Sequence, residues 1–259
     1  MQDTINAGTD TSAVTIEWTL SELLKNPVAL TMATEELDRV VGRDRLPTEG
    51  DRLPYLQAVI KESMRMHPAT PLLSPRRCRR DAVVGSYSIP AGTCVAVNVW
   101  AIGRDPSVWE EPNDFRPERL LDRSTVDVKG QDFELLPFGS GRRMCPGMGL
   151  ALKIVQLTLS NLLHAFAWRL PDGMTVEELN MEESLRFTMP RMIPLEVAGE
   201  PKLPAHLYWA EPAPRLMRQS VVTDACRYAY LKSWGPTQSL GPLEYRMRPA
   251  QKHMSKNKA

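Results

Sequence analysis

The chain has 259 residues with 32 Lys and Arg against 31 Asp and Glu, so its net charge of +1 gives nucleic-acid binding no support. Hydrophobic residues make up 42% and charged residues 24%, which excludes collagen-like, mucin-like and wholly disordered chains. This neutrality is an average, because residues 1–209 carry 23 basic and 28 acidic side chains, whereas residues 210–259 carry 9 and 3. We therefore expect a boundary near residue 209.

Apolar spacing predicts four helices, in chain order over residues 12–24, 28–40, 55–67 and about 149–168. The first extends back through the segment AGTDT, and the third stops at Pro68. No apolar run approaches the roughly 20 residues that span a bilayer. The N-terminus also lacks the features of a signal peptide, so we expect a soluble or peripheral chain without a membrane span.

Between the third and fourth helices the pattern changes. Alternating residues over 82–99, around a Pro90-Ala91-Gly92 turn, predict β-structure. Residues 103–137 are rich in Pro, Asp, Glu and Arg and predict a long irregular segment packed on a larger body. The expected fold is mainly α with a small antiparallel β-sheet.

Four widely spaced cysteines form no CxxC pair, which disfavours zinc ribbons, iron–sulfur sites and disulfide-rich folds. Cys145 instead ends a glycine-rich loop, FGSGRRMCPG, just before the fourth predicted helix. The loop glycines permit positive φ and close backbone approach to a flat, bulky group. The positive end of the helix dipole favours a thiolate, and Arg142 and Arg143 can bind a carboxylate. A structural cysteine and a cysteine hydrolase are the alternatives, but no histidine is placed as the hydrolase base.

Two further patterns carry polar side chains on predicted helices. Glu62 and Arg65 share one helix face, where such pairs are commonly solvated and contribute little. Asp10 and Thr11 offer an acid and an alcohol for proton delivery, next to Gly8, which can loosen a helix. Helix capping by these two residues is the alternative. None of the four histidines has metal-ligand spacing.

Together these segments resemble the cytochrome P450 family, whose haem-binding signature has the form FxxGxRxCxG. All five fixed positions are matched here, by Phe138, Gly141, Arg143, Cys145 and Gly147. The resemblance implies that Cys145 is the axial thiolate ligand of the iron of haem b. It also implies that Phe138 lies beside Cys145 and that Arg143 binds a haem propionate.

Other motifs follow in the family's order. Glu62 and Arg65 match ExxR, and Pro117-Glu118-Arg119 matches the segment whose Arg joins that pair, with Leu120 in place of the usual Phe. Asp10 and Thr11 match the family's oxygen-activation motif, which implies a catalytic role in proton delivery.

Three segments match the family less specifically. Arg76 falls where the family places a propionate-binding Arg or His, although a solvated basic run with its neighbouring arginines is equally possible. Residues 69–74 and 187–192 match regions that line the family's substrate pocket. Their apolar side chains are equally compatible with ordinary core.

The resemblance covers about residues 3–209 and is closest to plant microsomal members, which reside on the endoplasmic reticulum. It implies a haem-thiolate monooxygenase that hydroxylates a small apolar or phenolic metabolite, with NADPH electrons delivered by cytochrome P450 reductase. Only the C-terminal half of the family domain is matched, without a membrane anchor, so a truncated, inactive product with weak haem binding is the alternative. Residues 210–259 match nothing in the family, and we expect them to form a disordered tail.

Overall fold

A computed structural model describes residues 2–122, 126–171, 173–184 and 186–208, with side chains described from Ala7 onward and not at Asp122. The predicted tail of residues 210–259 lies outside this part of the chain. The helices within it are α1 (Gln2–Lys25), α2 (Pro27–Val40), α3 (Pro54–Met66), α4 (Val99–Ile102), α5 (Glu118–Asp122) and α6 (Met148–Ala165). The strands are β1 (Arg76–Arg77), β2 (Ala82–Val84), β3 (Tyr87–Ile89), β4 (Cys94–Val95), β5 (Phe166–Arg169) and β6 (Ala198–Pro201).

Helices α2 and α3 begin at prolines, which favour a helix start. Proline occupies the first turn of α2 and of α3, where its missing N–H costs no helical hydrogen bond. The N-terminus of α3 is further capped from α2, because the two carboxylate oxygens of Glu36 accept hydrogen bonds from Tyr55 N (2.9 Å) and Leu56 N (3.0 Å). This buried carboxylate therefore joins α2 to α3.

Helix α6 packs against α1, α2 and α3 and completes the main core. Its buried stripe is formed by residues such as Val155, Leu159 and Leu163. Facing residues include Leu20, Leu37 and Leu56, one from each of the other three helices, all fully buried. These four helices form the scaffold that carries the site.

The strands form three separate two-stranded antiparallel ribbons, β1 with β4, β2 with β3, and β5 with β6. The predicted mainly α fold with small antiparallel β-structure is thus confirmed. Two element boundaries were wrong. The fourth helix ends at Ala165, because residues 166–169 pair with residues 198–201 instead. Val99 starts α4, capped by Asn98, whose side-chain oxygen accepts from Ala101 N at 3.0 Å.

Among the described residues of the irregular segment, 103–122 and 126–137, the one helix is the short α5. It buries a small core of its own, which includes Trp109, Leu120 and Leu135 together with Ala58 of α3. This second core holds the segment against the outer side of α3.

None of the helices in the described residues is both long enough and apolar enough to cross a membrane.

Candidate functional site

The loop that carries Cys145 is closed by its own backbone. Cys145 N donates to Phe138 O at 3.0 Å, and a short 3-10 turn over Gly141–Arg143 lies between them. Gly139 and Gly141 have φ values of 70° and 67°, which glycine adopts without steric cost. The thiol is free and half-buried, three residues before the N-terminus of α6. The loop therefore presents a sulfur atom shortly before the N-terminus of α6.

Phe138 anchors this loop to the rest of the molecule. Its partly buried ring packs against both the main core and the second core. Leu152 of α6 makes the same double contact one turn into the helix. The position of Cys145 is thus fixed by core contacts both before it and after it in the sequence.

Arg76 of β1 lies beside the same loop. Its Nη2 atom is 3.9 Å from the point where a Cβ on Gly139 would stand, although 63 residues separate the two in sequence. Arg76, Arg142 and Arg143 are exposed, and none forms an ion pair within the part of the chain that the structure describes. Three guanidinium groups near the Cys145 loop are therefore available for carboxylates.

Gly130 and Ser140 support the Cys145 loop. Neither was identified from the sequence. Ser140 Oγ donates to Gly130 O at 2.6 Å. A Cβ on Gly130, whose φ is 77°, would stand 2.8 Å from Gly139 O and 3.0 Å from Met144 Sδ. Only glycine fits at position 130. The surrounding sequence is polar and does not indicate this contact.

The residues present fit a haem group. A free thiol at a helix start is a suitable iron ligand. The unpaired guanidinium groups suit two propionates. Leu72, which is 50% exposed, and Val95, which pairs with Arg76, add apolar surface near them. A Cβ on Gly141 would meet nothing within 4 Å, so the loop backbone is open to a flat ligand on that side.

Glu62, Arg65 and Arg119 form one buried cluster between α3 and the irregular segment. The Glu62 carboxylate accepts from Arg65 Nε and Nη2 at 2.9 and 2.8 Å and from Arg119 Nε at 3.0 Å. The Glu62 and Arg65 side chains are fully buried and that of Arg119 is 8% exposed. A solvated surface pair, the alternative for Glu62 and Arg65, is therefore excluded.

Arg65 also binds the irregular segment. Its Nη1 donates to Gly103 O and to Pro112 O (2.8 Å), and its guanidinium lies 5.3 Å from the centre of the Trp109 ring. A Cβ on Gly103 would stand 2.4 Å from Arg65 O, so this glycine permits the close approach. Gly103 and Trp109 were not predicted, because their contacts with Arg65 are distant in sequence.

Asp10 and Thr11 lie inside α1, which begins at Gln2, so they do not cap it. Thr11 Oγ1 donates to Ala7 O at 2.7 Å, and Ser12 Oγ donates to Gly8 O at 2.7 Å. The helix runs unbroken through Gly8, and Asp10 is exposed. No hydrogen bond within the described residues joins Asp10 or Thr11 to the Cys145 loop.

The two segments expected to line a pocket meet each other and α1. Met189 N donates to Ala69 O at 3.0 Å, and Met189 O accepts from Trp18 Nε1 at 2.9 Å. Met189 is buried, whereas Phe187 and Met192 are 67% and 53% exposed. The two exposed side chains are therefore available to an apolar ligand, and Met189 belongs to the core.

The chain is similar to curated proteins over most of its own length. Trimethyltridecatetraene synthase from Zea mays is 53% identical to the chain and covers 86% of it. A flavonoid 3',5'-hydroxylase from Eustoma exaltatum subsp. russellianum is 52% identical over 78% of the chain, and a flavonoid 3'-monooxygenase from Petunia hybrida is 49% identical. The chain spans about two fifths of these proteins, 42% of the first and 40% of the others.

A zebrafish cytochrome P450, solved with abiraterone, superposes with a TM-score of 0.67 and 34% identity. The match covers 78% of the present chain and 46% of the zebrafish chain. The family model described as cytochrome P450 matches residues 1–193. The motifs, the fold and these matches lead to one conclusion: the chain belongs to the cytochrome P450 family.

Proposed function

We propose that the chain carries the thiolate-loop portion of a haem-dependent monooxygenase that hydroxylates a small apolar or phenolic molecule. The observation that carries the proposal is the Cys145 loop, in which a free, half-buried thiol stands before α6 with Arg76 beside the same loop. Bound haem would supply the redox chemistry by which this family activates dioxygen.

Residues of the loop would hold the haem. Cys145 would ligate the iron, and Phe138 would keep the loop in place through its contacts with both cores. Gly141 and Gly147 would let the backbone approach the macrocycle. Arg143 would pair with a propionate, with charge-assisted hydrogen bonds that an unpaired guanidinium can form.

Arg76 would bind a propionate from the other side of the loop, since it extends from β1 towards Gly139. The cluster of Glu62, Arg65 and Arg119 would act structurally, because it fixes the irregular segment that leads into the loop. Removal of the shared carboxylate would leave two buried guanidinium groups poorly compensated.

Asp10 and Thr11 would deliver protons. Thr11 Oγ1 now donates to Ala7 O, so its hydroxyl must rotate before it can donate to a ligand, while its lone pairs are free to accept. The exposed carboxylate of Asp10, one residue earlier, can exchange protons with solvent. The pair would thus connect solvent to the site.

The proposed substrate class, a small apolar or phenolic molecule, rests on the names of the relatives and on two exposed side chains. The names of the relatives cover flavonoid hydroxylation and the synthesis of a tetraene. Phe187 and Met192 offer apolar contact to either kind of molecule. Electrons would come from NADPH through a cytochrome P450 reductase, as the family requires, and the family setting would be the endoplasmic reticulum membrane.

One observation favours a second candidate, a chain that binds haem weakly without turnover. The chain matches less than half of the length of each relative described above. The haem-loaded chain, supplied with plant reductase and NADPH, separates the two candidates. Hydroxylated flavonoid or terpenoid product above the level of Thr11→Ala supports the monooxygenase. Equal amounts of product from the wild type and Thr11→Ala, with haem bound to both, would support the second candidate, a chain that binds haem without turnover.

A further inference from the structure

His67 lies between two carboxylates that come from distant parts of the chain. Its Nε2 is 2.7 Å from Glu22 Oε1 of α1, and its Nδ1 is 3.0 Å from Glu183 Oε1. The ring is 5% exposed and stacks on Trp18, with centroids 3.9 Å apart and planes 2° from parallel. One imidazole at the end of α3 therefore bridges α1 and the segment around residue 183.

The hydrogen-bond chemistry of the ring restricts what this bridge can be. A neutral imidazole has one N–H donor and one lone pair, whereas an ionised carboxylate only accepts. With both carboxylates ionised, the two contacts are satisfied together only when both ring nitrogens carry protons. We propose that His67 is a positioning residue whose imidazolium form bridges Glu22 and Glu183 and thereby fastens residues 182–184 and 186–193 onto α1.

The surrounding charges favour this form. Besides Glu22 and Glu183, Glu17 of α1 lies in the same region, where its Oε1 accepts from Leu195 N at 2.8 Å. Two guanidinium groups offset these carboxylates: that of Arg104, 3.4 Å from Glu183, and that of Arg191, 5.4 Å from the Trp18 ring. Arg65 is a further guanidinium group that acts on Arg104, but it already pairs with Glu62. Apart from that pair, three carboxylates stand against two guanidinium groups, and the imidazolium supplies the third positive charge.

Glu183 is well suited to accept from a charged ring. Burial raises the pKa of its carboxyl, but the hydrogen bond and charge of His67, the charge of Arg104 and the N–H of Trp100 together lower it below its ordinary value. Trp100 Nε1 donates to the other carboxylate oxygen at 2.9 Å. Glu183 is therefore ionised at neutral pH.

The segment that is held forms a closed turn. Glu183 pairs with Arg191 in an antiparallel bridge, Ser184 N donates to Pro190 O at 2.8 Å, and Met192 N donates to Glu182 O at 2.7 Å. His67 would therefore set where the exposed Phe187 and Met192 stand relative to α1. The effect on substrate rests on the proposed function, whereas the bridge itself does not.

Nitrogen-15 NMR of the full chain labelled at histidine tests the charge state directly. We expect both ring nitrogens of His67 to resonate as protonated near neutral pH, with assignment by loss of the signals in His67→Gln. His164 is the internal control, because burial lowers its pKa and keeps it neutral. One unprotonated ring nitrogen in His67 under these conditions would overturn the proposal, and the measurement needs neither haem nor turnover.

Hydrogen exchange tests the positioning. In Glu183→Gln we expect amide protection of residues 186–193 to fall about tenfold. This is the effect expected from the loss of one charged hydrogen bond. Glu182→Gln is the matched control, since its side chain is exposed and neighbours the bridge. His67→Phe keeps a ring against Trp18 but has no donors, so we expect it to lose protection as well. Full protection in both Glu183→Gln and His67→Phe would contradict the bridge, whatever the outcome for haem binding or product formation.

Discussion

The carboxylate of Glu62 accepts a hydrogen bond from Arg119 Nε at 3.0 Å, although 57 positions separate the two residues. The same carboxylate holds Arg65, so one acidic group serves two guanidinium groups in a site closed to solvent. Arg119 also donates to Glu111 O and Asp114 O, both at 3.2 Å. The cluster thus links the irregular segment to α3, and its loss should lower the stability of the whole fold.

Glu62→Gln should lower the free energy of unfolding by about 3–5 kcal/mol, because it leaves two buried cations without their anion. Urea denaturation measures the change. Glu49→Gln is the control, since Glu49 pairs with Lys153 at 3.0 Å in an exposed position where such a pair contributes about 0–1 kcal/mol. Equal, small effects of the two substitutions would mean that the buried cluster does not carry stability.

Tyr55→Phe should remove one hydrogen bond and keep the packing of the ring. Tyr55 Oη donates to Glu118 Oε1 at 2.9 Å and so joins α3 to α5. Burial, followed by the hydrogen bond and charge of Glu118, raises the pKa of Tyr55 above its ordinary value. The stabilisation is therefore complete below about pH 10, the unfolded value, and is lost as pH rises through the folded one.

Unfolding free energies of the wild type and Tyr55→Phe, measured from neutral to alkaline pH, check this prediction. The substitution should cost about 1 kcal/mol at neutral pH. The gap between the two proteins should close as pH rises from the unfolded pKa of Tyr55 to its higher folded pKa. A gap that stays constant at high pH would show that the phenol proton does not contribute.

Gly130→Ala should displace the Cys145 loop. The new Cβ would meet Gly139 O at 2.8 Å, a contact that forces a shift of the loop backbone. Gly85→Ala is matched to it, because Gly85 also has positive φ (60°) but a Cβ there would meet nothing within 4 Å. We expect Gly130→Ala to cost about 1–3 kcal/mol more than Gly85→Ala in urea denaturation. The same loss in both variants would assign the effect to φ strain alone.

Arg76→Ala should weaken haem binding about tenfold, through the loss of a charge-assisted hydrogen bond to a propionate. Arg77→Ala is the control, because the next residue on a strand points to the opposite face. Both side chains are exposed, so neither substitution should disturb the core. Haem titration followed by absorbance measures both affinities, and equal affinities would show that Arg76 is not a propionate ligand.

Local patterns in the sequence were sufficient to place α1, α2, α3 and most of α6. The span of α3 is nearly as predicted, since Pro54 and Pro68 mark its limits. The predicted α6 ran too far, because Phe166 and Trp168 continue the apolar helical spacing while their strand partners lie about 30 residues later.

Contacts between distant residues account for what the sequence did not reveal. Its spacing gave His67 no role, yet the ring binds carboxylates 45 and 116 positions away. The sequence indicates that Gly130 is a loop glycine. Only the tertiary path of the chain brings it next to Gly139. Both features depend on tertiary packing, which a local pattern does not encode.

The reduced, CO-bound absorbance spectrum of the haem-reconstituted chain tests the central claim most directly. If Cys145 is the axial ligand, the wild type will show the red-shifted Soret band of thiolate ligation. Cys145→Ala will lack that band, and Cys94→Ala, which removes an exposed cysteine on β4, will retain it. Identical spectra for wild type and Cys145→Ala would contradict the assignment of Cys145 as the haem ligand.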